Sequence, residues 1–465
     1  MIKTKFLVFI VLLLFVPMAM AQTLTMPVEL QNATVSLVVT DVETGQNVLE
    51  HQSNQSATPA SITKLITTAT ALELLGADFR FTTTIAYDGT LSNGILNGNL
   101  YIIGGGDPTL GSRYFNDEDF LTDWCVKLKK IGIQEITGNL IADATIYDNE
   151  PVPVRWTWED MGNYYAAGIY GLSLFDNTIH ITLRSKEIGS MPEVIEIKPA
   201  IKDLQLYNSL KVTNIQFDSA YVYGIPYDNR RWLRGAMPAN RSQFIIRGDI
   251  PNPPLYLVEQ LKIELNKQNI TVKGVATDQL PPHVMRTTLF EHQSPKLIDI
   301  CHVTNFFSNN NYAEHIFKQL ALQRSDLATN VLAKDVLLDF WNKKGINTKA
   351  VSLNDGSGLS PMDAFPAEFL NDILCYMIRS SNSQLFLETI PRTGVEGTVR
   401  HFLNDVSITN TIRAKSGSMT GVQAYAGYIH KTDTIYSFCI IVNHYNGSRA
   451  QLRKTIEQWL SPIIK

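Results

Sequence analysis

The sequence predicts an α/β fold: an antiparallel sheet flanked by helices, interrupted by a large, mostly β insertion. Three observations carry this. Strand-like segments open the chain, helix-like segments fill its later part, and a helix closes it, which is not the rhythm of a parallel βαβ repeat. Two late β runs, residues 422–430 and 434–443, are joined only by the polar turn Lys431-Thr432-Asp433, so they lie side by side and antiparallel. Between them and the opening strands, from about residue 82 to residue 250, the texture changes to short β-like stretches separated by turns.

The elements follow in order. Residues 33–51 read as a hairpin: Val35-Ser36-Leu37-Val38-Val39 is β-rich, Glu43-Thr44-Gly45 has turn chemistry, and Val48-Leu49 resumes the strand. A helix follows, with Thr58 as its cap, Pro59 in its first turn and Gly76 as its stop. In the β-rich stretch the turns are Gly104-Gly105-Gly106-Asp107-Pro108, residues 143–149 and Phe175-Asp176-Asn177; one helix, residues 117–131, interrupts it, and aromatics crowd residues 156–170. Pro251 to Pro254 marks its exit. Helices are then expected over 255–268, 296–307, 312–323, 327–344 and 367–379, and a closing helix over 448–460. The boundaries expected are 22–81 together with 252–465 for one discontinuous domain and 82–251 for the insertion.

Composition bounds the function. The chain has 465 residues, so a prior of roughly 150 per domain predicts two to four domains. With 45% hydrophobic and 18% charged residues it is a folded chain rather than a disordered one. Its formal net charge of -4, without a long Lys/Arg tract, excludes nucleic acid as the expected partner. Lys3 and Lys5, an apolar run from Phe6 to Val16, Pro17 and Ala19-Met20-Ala21 have the three-part layout of a secretory signal peptide. The run falls short of the roughly 20 residues that span a bilayer. Residues 1–21 are therefore expected to be cleaved and the mature chain to be periplasmic. The four cysteines, Cys125, Cys301, Cys375 and Cys439, are widely spaced in apolar segments, without a CxxC pair or a histidine at ligand spacing. Buried free thiols are expected, and neither a metal nor another cofactor.

The chemistry centres on Pro59-Ala60-Ser61-Ile62-Thr63-Lys64. Residues three apart on a helix share a face, so the Lys64 amine reaches the Ser61 hydroxyl. A serine is a weak nucleophile until a base takes its proton, and a lysine of depressed pKa is such a base. Alone, Ser-x-x-Lys is expected about once by chance in a chain this long. Two further motifs change that. Ser308-Asn309-Asn310 precedes a helix and also has the residues of a helix cap. Lys415-Ser416-Gly417, followed by Ser418, suits a site that binds a carboxylate and needs close backbone approach.

In this order, Ser-x-x-Lys, Ser-x-Asn and Lys-Ser/Thr-Gly are the three-motif signature of serine penicillin-recognising enzymes. With Gly104-Gly105-Gly106-Asp107-Pro108, Asn310-Asn311-Tyr312-Ala313-Glu314, Asp355-Gly356-Ser357-Gly358-Leu359-Ser360 and Gly394-Val395-Glu396-Gly397-Thr398, the chain resembles the class C low-molecular-mass penicillin-binding proteins, D-alanyl-D-alanine carboxypeptidases and endopeptidases of the penicillin-binding protein 4 type. The resemblance spans nearly the whole mature chain. It implies a DD-peptidase/β-lactamase-like transpeptidase domain with the insertion between the first and second motifs. That insertion accounts for the stretch from Ser61 to Ser308, more than half of the chain.

The resemblance also implies roles. Ser61 would attack the carbonyl between two D-alanines of a peptidoglycan peptide, with Lys64 as base. Ser308, helped by Lys415, would relay a proton to the leaving amine, and Asn310 would hold the substrate amide. Lys415 and Ser416 would grip the terminal carboxylate, Gly417 would allow close approach, and the N–H groups of Ser61 and Ser418 would form the oxyanion hole. β-Lactams would acylate Ser61 as covalent inhibitors. Asp160, in Trp158-Glu159-Asp160-Met161, matches the family segment whose Asp contacts the free amine end of a diaminopimelate side chain. Asn309 and Ser416 stand where Asp and Thr are more usual.

Two other readings share part of the pattern. A β-lactamase has the same three motifs, but the long gap between the first two disfavours it, and Glu368-Phe369-Leu370-Asn371 is one residue short of the Glu-x-x-Leu-Asn of class A enzymes. A wall-binding protein with an inactive site would lack labelling by penicillin. Gly356-Ser357-Gly358 is read as a turn, because Asp355 stands where a nucleophile elbow needs Gly. The balance of carboxypeptidase and endopeptidase work, and whether the chain is a monomer or an oligomer, are left open.

Overall fold

The strand Thr34–Asp41 is buried at every interior position, and its place explains why. It lies between Asn47–His51 and Ile435–Asn443 in a five-stranded sheet that continues through Val422–His430 to Ile412–Met419. All four pairings are antiparallel. The computed structural model describes residues 24, 26–117, 119–282, 284–404 and 411–465; the expected signal peptide lies outside them.

Both faces of this sheet are covered. Val38, Ala424, Ala426, Tyr428, Cys439 and Ile441 enter a core shared with the helices Thr63–Leu74, Asn310–Ala321 and Ala367–Met377. Their neighbours Val35, Leu37, Val39, Phe438, Ile440 and Val442 face the opposite way, onto Leu452, Ile456 and Leu460 of the closing helix Arg449–Ile464. Alternate residues go to opposite faces, yet both sets are apolar because neither face meets water. Each Val, Leu, Ile or Phe among them contributes about 1.5–3 kcal/mol by leaving water.

The helix Thr63–Leu74 runs through the centre of the first core and is buried from Thr63 to Leu72. Its threonines are accommodated by hydrogen bonds back to the chain: Thr68 Oγ1 donates to the Lys64 carbonyl at 2.8 Å and Thr70 Oγ1 to that of Ile66 at 2.7 Å. Gly76 ends it at φ +85°. The start differs from the expectation. Ala60 takes φ +51°, and Ala60–Ile62 forms a single 3-10 turn before the α-helix. Thr58 does not cap it; its N–H and C=O are bound by the Asn443 amide at 2.7 and 2.9 Å.

A second core gathers the inserted chain. The strands Ala276–Thr277, Leu140–Asp143, Leu100–Ile103, Thr82–Tyr87 and Thr287–Gln293 form a five-stranded sheet. The helices Phe120–Ile131 and Pro253–Lys267 pack on this core through residues such as Trp124, Leu128, Leu257 and Leu261. Further strands follow: Thr178–Arg184 pairs with Glu193–Lys198 and Phe244–Asp249, and Arg230–Pro238 pairs with Gln205–Asn208, Lys211–Thr213 and Ser219–Tyr223.

The far boundary departs from the expectation at 252. Pro253 and Pro254 open a helix capped by Asn252, and that helix belongs to the second core. The chain then supplies Thr287–Gln293 as the partner of Thr82–Tyr87, so the return to the first core comes with Leu297–Phe306.

The four cysteines are free thiols. Cys125, Cys301 and Cys439 are buried; Cys375 is only half-buried, its Sγ 3.1 Å from the Ser437 hydroxyl. Among the described residues no helix is long and apolar enough to cross a membrane.

Candidate active site

Ser61 sits on the 3-10 turn at the head of the central helix, half-buried, with Lys64 one turn further on and fully buried. Lys64 Nζ lies 2.9 Å from Ser61 Oγ, 2.6 Å from Asn310 Oδ1 and 2.6 Å from the Ser357 carbonyl oxygen. A neutral amine has two N–H bonds and one lone pair. The two carbonyl oxygens accept the two N–H bonds, which aims the lone pair at the serine hydroxyl. Burial pulls the Lys64 ammonium down to about 7, while the charges of Asp355 and Glu314 pull in the opposite direction. Lys64 is therefore poised to change protonation near neutrality.

Ser308 and Asn310 arrive from the connection between Leu297–Phe306 and Asn310–Ala321. Asn309 caps the second helix, its Oδ1 accepting from the Tyr312 N–H at 3.1 Å, so a helix cap stands between the two candidate site residues in one tripeptide. Ser308 takes φ +57°, a conformation uncommon for a residue with a side chain. The Asn310 amide is fixed at both ends: its Nδ2 donates to the Tyr165 carbonyl at 2.8 Å, and its Oδ1 accepts from Lys64.

The third motif lies on the edge strand Ile412–Met419. Lys415 is fully buried; its Nζ donates to Ser308 Oγ at 2.9 Å and to the Ser416 carbonyl at 2.6 Å. Burial, and then the charge of Lys64, hold its ammonium well below the ordinary lysine range. Ser416 Oγ donates to Thr398 Oγ1 at 2.8 Å. Gly417 explains its own identity. A Cβ there would stand 2.6 Å from the Pro59 carbonyl oxygen and 3.0 Å from the Ser61 nitrogen, so only glycine lets the strand press against the serine turn. Ser418, the next residue, is exposed.

These groups share one cleft of about 680 Å³, lined by Ser61, Ser308, Asn310, Ser416 and Ser418 and, from the inserted chain, Asp160. Asp160 is half-buried; its carboxylate accepts from Thr157 Oγ1 at 2.6 Å and from the Tyr165 hydroxyl at 3.0 Å. Glu159 lies beside it on the cleft wall.

Motif reading passed over a carboxylate cluster behind Lys64. Glu314 is fully buried and accepts from the Gly356 and Ser357 N–H groups at 3.0 and 2.8 Å. Asp355, also buried, accepts from the N–H groups of Ser357, Gly358 and Ser360 at 3.2, 2.6 and 2.7 Å and from Trp156 Nε1 at 2.7 Å. Burial, and then Asp355, push the Glu314 carboxyl upward. Together the two carboxylates wrap residues 355–360 so that the Ser357 carbonyl points at Lys64. Gly358, at φ +73°, passes so close to the Ala60 carbonyl that a Cβ would overlap it. The signal was there: Glu314 and Asp355 stand inside stretches that carry the family resemblance, but neither residue type announces a positioning role from spacing alone.

Comparison with known proteins gives a consistent result. The D-Ala-D-Ala carboxypeptidase 3 (S13) family matches residues 17–463. A D-alanyl-D-alanine carboxypeptidase from an Actinomadura species is 27% identical over 431 residues, covering 90% of this chain and 79% of that protein. Among solved structures, penicillin binding protein 4 (dacB) from Haemophilus influenzae superposes with a TM-score of 0.80 at 24% identity, covering 94% of this chain and 97% of the other. The same protein complexed with a β-lactam gives a TM-score of 0.77 at 23% identity, with the same coverage.

Proposed function

The chain belongs to the D-Ala-D-Ala carboxypeptidase 3 (S13) family, and from that premise we propose that Ser61 is the nucleophile of a serine D-alanyl-D-alanine carboxypeptidase/endopeptidase acting on peptidoglycan stem peptides. The observation that carries this reading is the Lys64 amine, buried and 2.9 Å from Ser61 Oγ with two carbonyl oxygens at 2.6 Å to accept its hydrogens.

The reaction follows from the groups present. Neutral Lys64 takes the Ser61 proton as Oγ bonds to the carbonyl carbon between the two D-alanines. The developing oxyanion is met by the N–H groups of Ser61 and Ser418, which Gly417 brings within reach of one another. Ser308, held by the Lys415 amine at 2.9 Å, relays the proton that Lys64 took from Ser61 to the leaving nitrogen as the C–N bond breaks, which returns Lys64 to its neutral form. Lys415 and Ser416 hold the terminal carboxylate, and Asn310 holds the amide of the penultimate residue. Water then attacks the ester, its proton returning through Lys64, and Ser61 is freed. A β-lactam would enter the same path, but its amine stays tethered and blocks the water.

Asp160 extends the reading. Its carboxylate, with Glu159 beside it, gives the cleft wall a negative end suited to the free amine of a diaminopimelate side chain. The substrate lies outside the cytoplasm, so the proposal includes export through a signal peptide over residues 1–21 and a periplasmic mature chain.

A fluorescent penicillin tests the assignment. The wild type is expected to be labelled covalently and Ser61→Ala to remain dark. Labelling that survives in Ser61→Ala would remove the nucleophile from the account.

A further inference from the structure

The solvent face of the sheet centred on Arg230–Pro238 carries a run of aromatic and cationic side chains. Tyr207, Trp232 and Tyr223 are direct neighbours across three strands, Tyr207 pairing with Trp232 and Tyr223 with Trp232. Two residues along, Tyr221 pairs with Arg234 on the same face. The opposite face carries Leu206, Val222 and Leu233, of which Val222 and Leu233 lie in the second core. Such a face is ordinarily polar where it meets water. Here Tyr207 is 46% exposed and Tyr221 44%, and Trp158, which stacks on Tyr223 with ring centroids 5.3 Å apart, is 66% exposed.

The rings are ordered among themselves. Tyr207 and Trp232 are stacked at 5.4 Å and 15°, and Tyr221 and Tyr223 at 6.2 Å and 27°. Arg230 lies 5.6 Å over Trp232 and Arg234 6.0 Å over Tyr223, so the cations brace the rings. Between Trp158, Tyr223, Trp232 and Arg234 the surface dips into a pocket of about 290 Å³. The face is also continuous with the catalytic cleft, because Tyr223 lines both this pocket and the cleft wall, and Tyr221 beside it lines the cleft.

We propose that this aromatic platform is a carbohydrate subsite that binds the N-acetylated aminosugar strand to which the scissile peptide is attached. The inference rests on the reading of the cleft given above. Its chemistry is general: the C–H faces of a pyranose ring carry slight positive charge and lie flat on the negative faces of aromatic rings. Arg234, exposed on this face, adds donors for ring hydroxyls and acetamido carbonyls, while Arg230 is held by the Asp228 carboxylate. A polymer whose peptide enters the cleft along this wall passes Tyr221 and Tyr223, and the platform begins there. Nucleic acid, which also stacks on aromatic rings, is disfavoured by the net charge of -4.

The test uses the full chain and a β-1,4-linked N-acetylglucosamine hexamer, with binding followed by tryptophan fluorescence and calorimetry. The wild type is expected to bind, and the double variant Tyr207→Ala, Trp232→Ala to lose at least tenfold in affinity. Neither residue reaches the cleft, so the variant should label with penicillin at the wild-type rate and cleave a sugar-free pentapeptide normally, while turnover on intact glycan-bearing wall falls. If the double variant does not fold, the exposed Tyr207→Ala alone should still weaken binding several-fold. Absence of hexamer binding by the wild type, undiminished affinity in the variants, or binding of a sugar-free stem peptide to the platform in place of the hexamer would overturn the proposal. The two readings fail separately: no penicillin labelling defeats the cleft assignment, whereas intact labelling without hexamer binding defeats only the platform.

Discussion

The amine of Lys64 lies 2.6 Å from the carbonyl oxygen of Ser357, a residue almost three hundred positions away that is itself held by Glu314 and Asp355. That contact does what a base near a serine requires. In the neutral amine it accepts one N–H, Asn310 accepts the other, and the lone pair is left facing the hydroxyl.

Removing the base should therefore stop acylation without emptying the core. Lys64→Met keeps a long unbranched side chain in the space. Its rate of acylation by penicillin is expected to fall by roughly 10²–10⁴-fold, the usual value of a positioned base. Stopped-flow or gel-based labelling kinetics measure it; a loss below tenfold would mean another group takes the proton.

Asp355 acts on Lys64 through charge and through the loop. Its negative charge favours protonated Lys64, so Asp355→Asn should let the amine stay neutral to lower pH. The acidic limb of the acylation profile should move to lower pH. The loss of charged hydrogen bonds to the loop should cost about 1.5–3 kcal/mol of stability, read from denaturant unfolding. A purely structural role would lower stability and rate and leave the limb in place.

Gly417→Ala tests how closely the third-motif strand must approach. The added methyl would meet the Pro59 carbonyl at 2.6 Å and the nitrogens of Ser61 and Ile62 at 3.0 Å. Displacing the serine turn by even part of an ångström should cost on the order of 10²-fold in acylation, with a near-native circular dichroism spectrum. Normal acylation in this variant would mean that the turn yields freely.

Asp160→Asn probes substrate choice. A charge-assisted contact is worth roughly 1.5–3 kcal/mol, so KM for a stem peptide with a free side-chain amine should rise about tenfold or more. Acylation by a β-lactam lacking that amine should change far less. Equal effects on both would assign Asp160 to holding the Thr157–Tyr165 loop instead.

Much of the architecture could be read from local pattern, and the exceptions have physical causes. The late hairpin, residues 422–430 and 434–443, lies where its apolar runs and polar turn predict, within one residue. The three motifs were visible because each keeps its chemistry within a few residues. Pairing between distant segments has no such local mark. Thr287–Gln293 belongs beside Thr82–Tyr87, and Pro253-Pro254 opens a helix of the second core, yet locally both look like a return to the first. Thr58 has the right residue type for a cap but is claimed by Asn443 from the far end of the chain. Glu314 and Asp355 escape for a related reason: a carboxylate that positions a loop looks like any helix or turn acid until its burial is known.

The most direct test of the central claim, a neutral Lys64 drawing the proton from Ser61, is the pH dependence of the second-order rate of acylation by penicillin, followed from pH 5 to pH 9. The lysine is active only when unprotonated, so the rate should be low in acid, rise through a limb centred at about 7 and level off above it. A rate still climbing toward the ordinary lysine range near 10, or one unchanged across the whole interval, would contradict it.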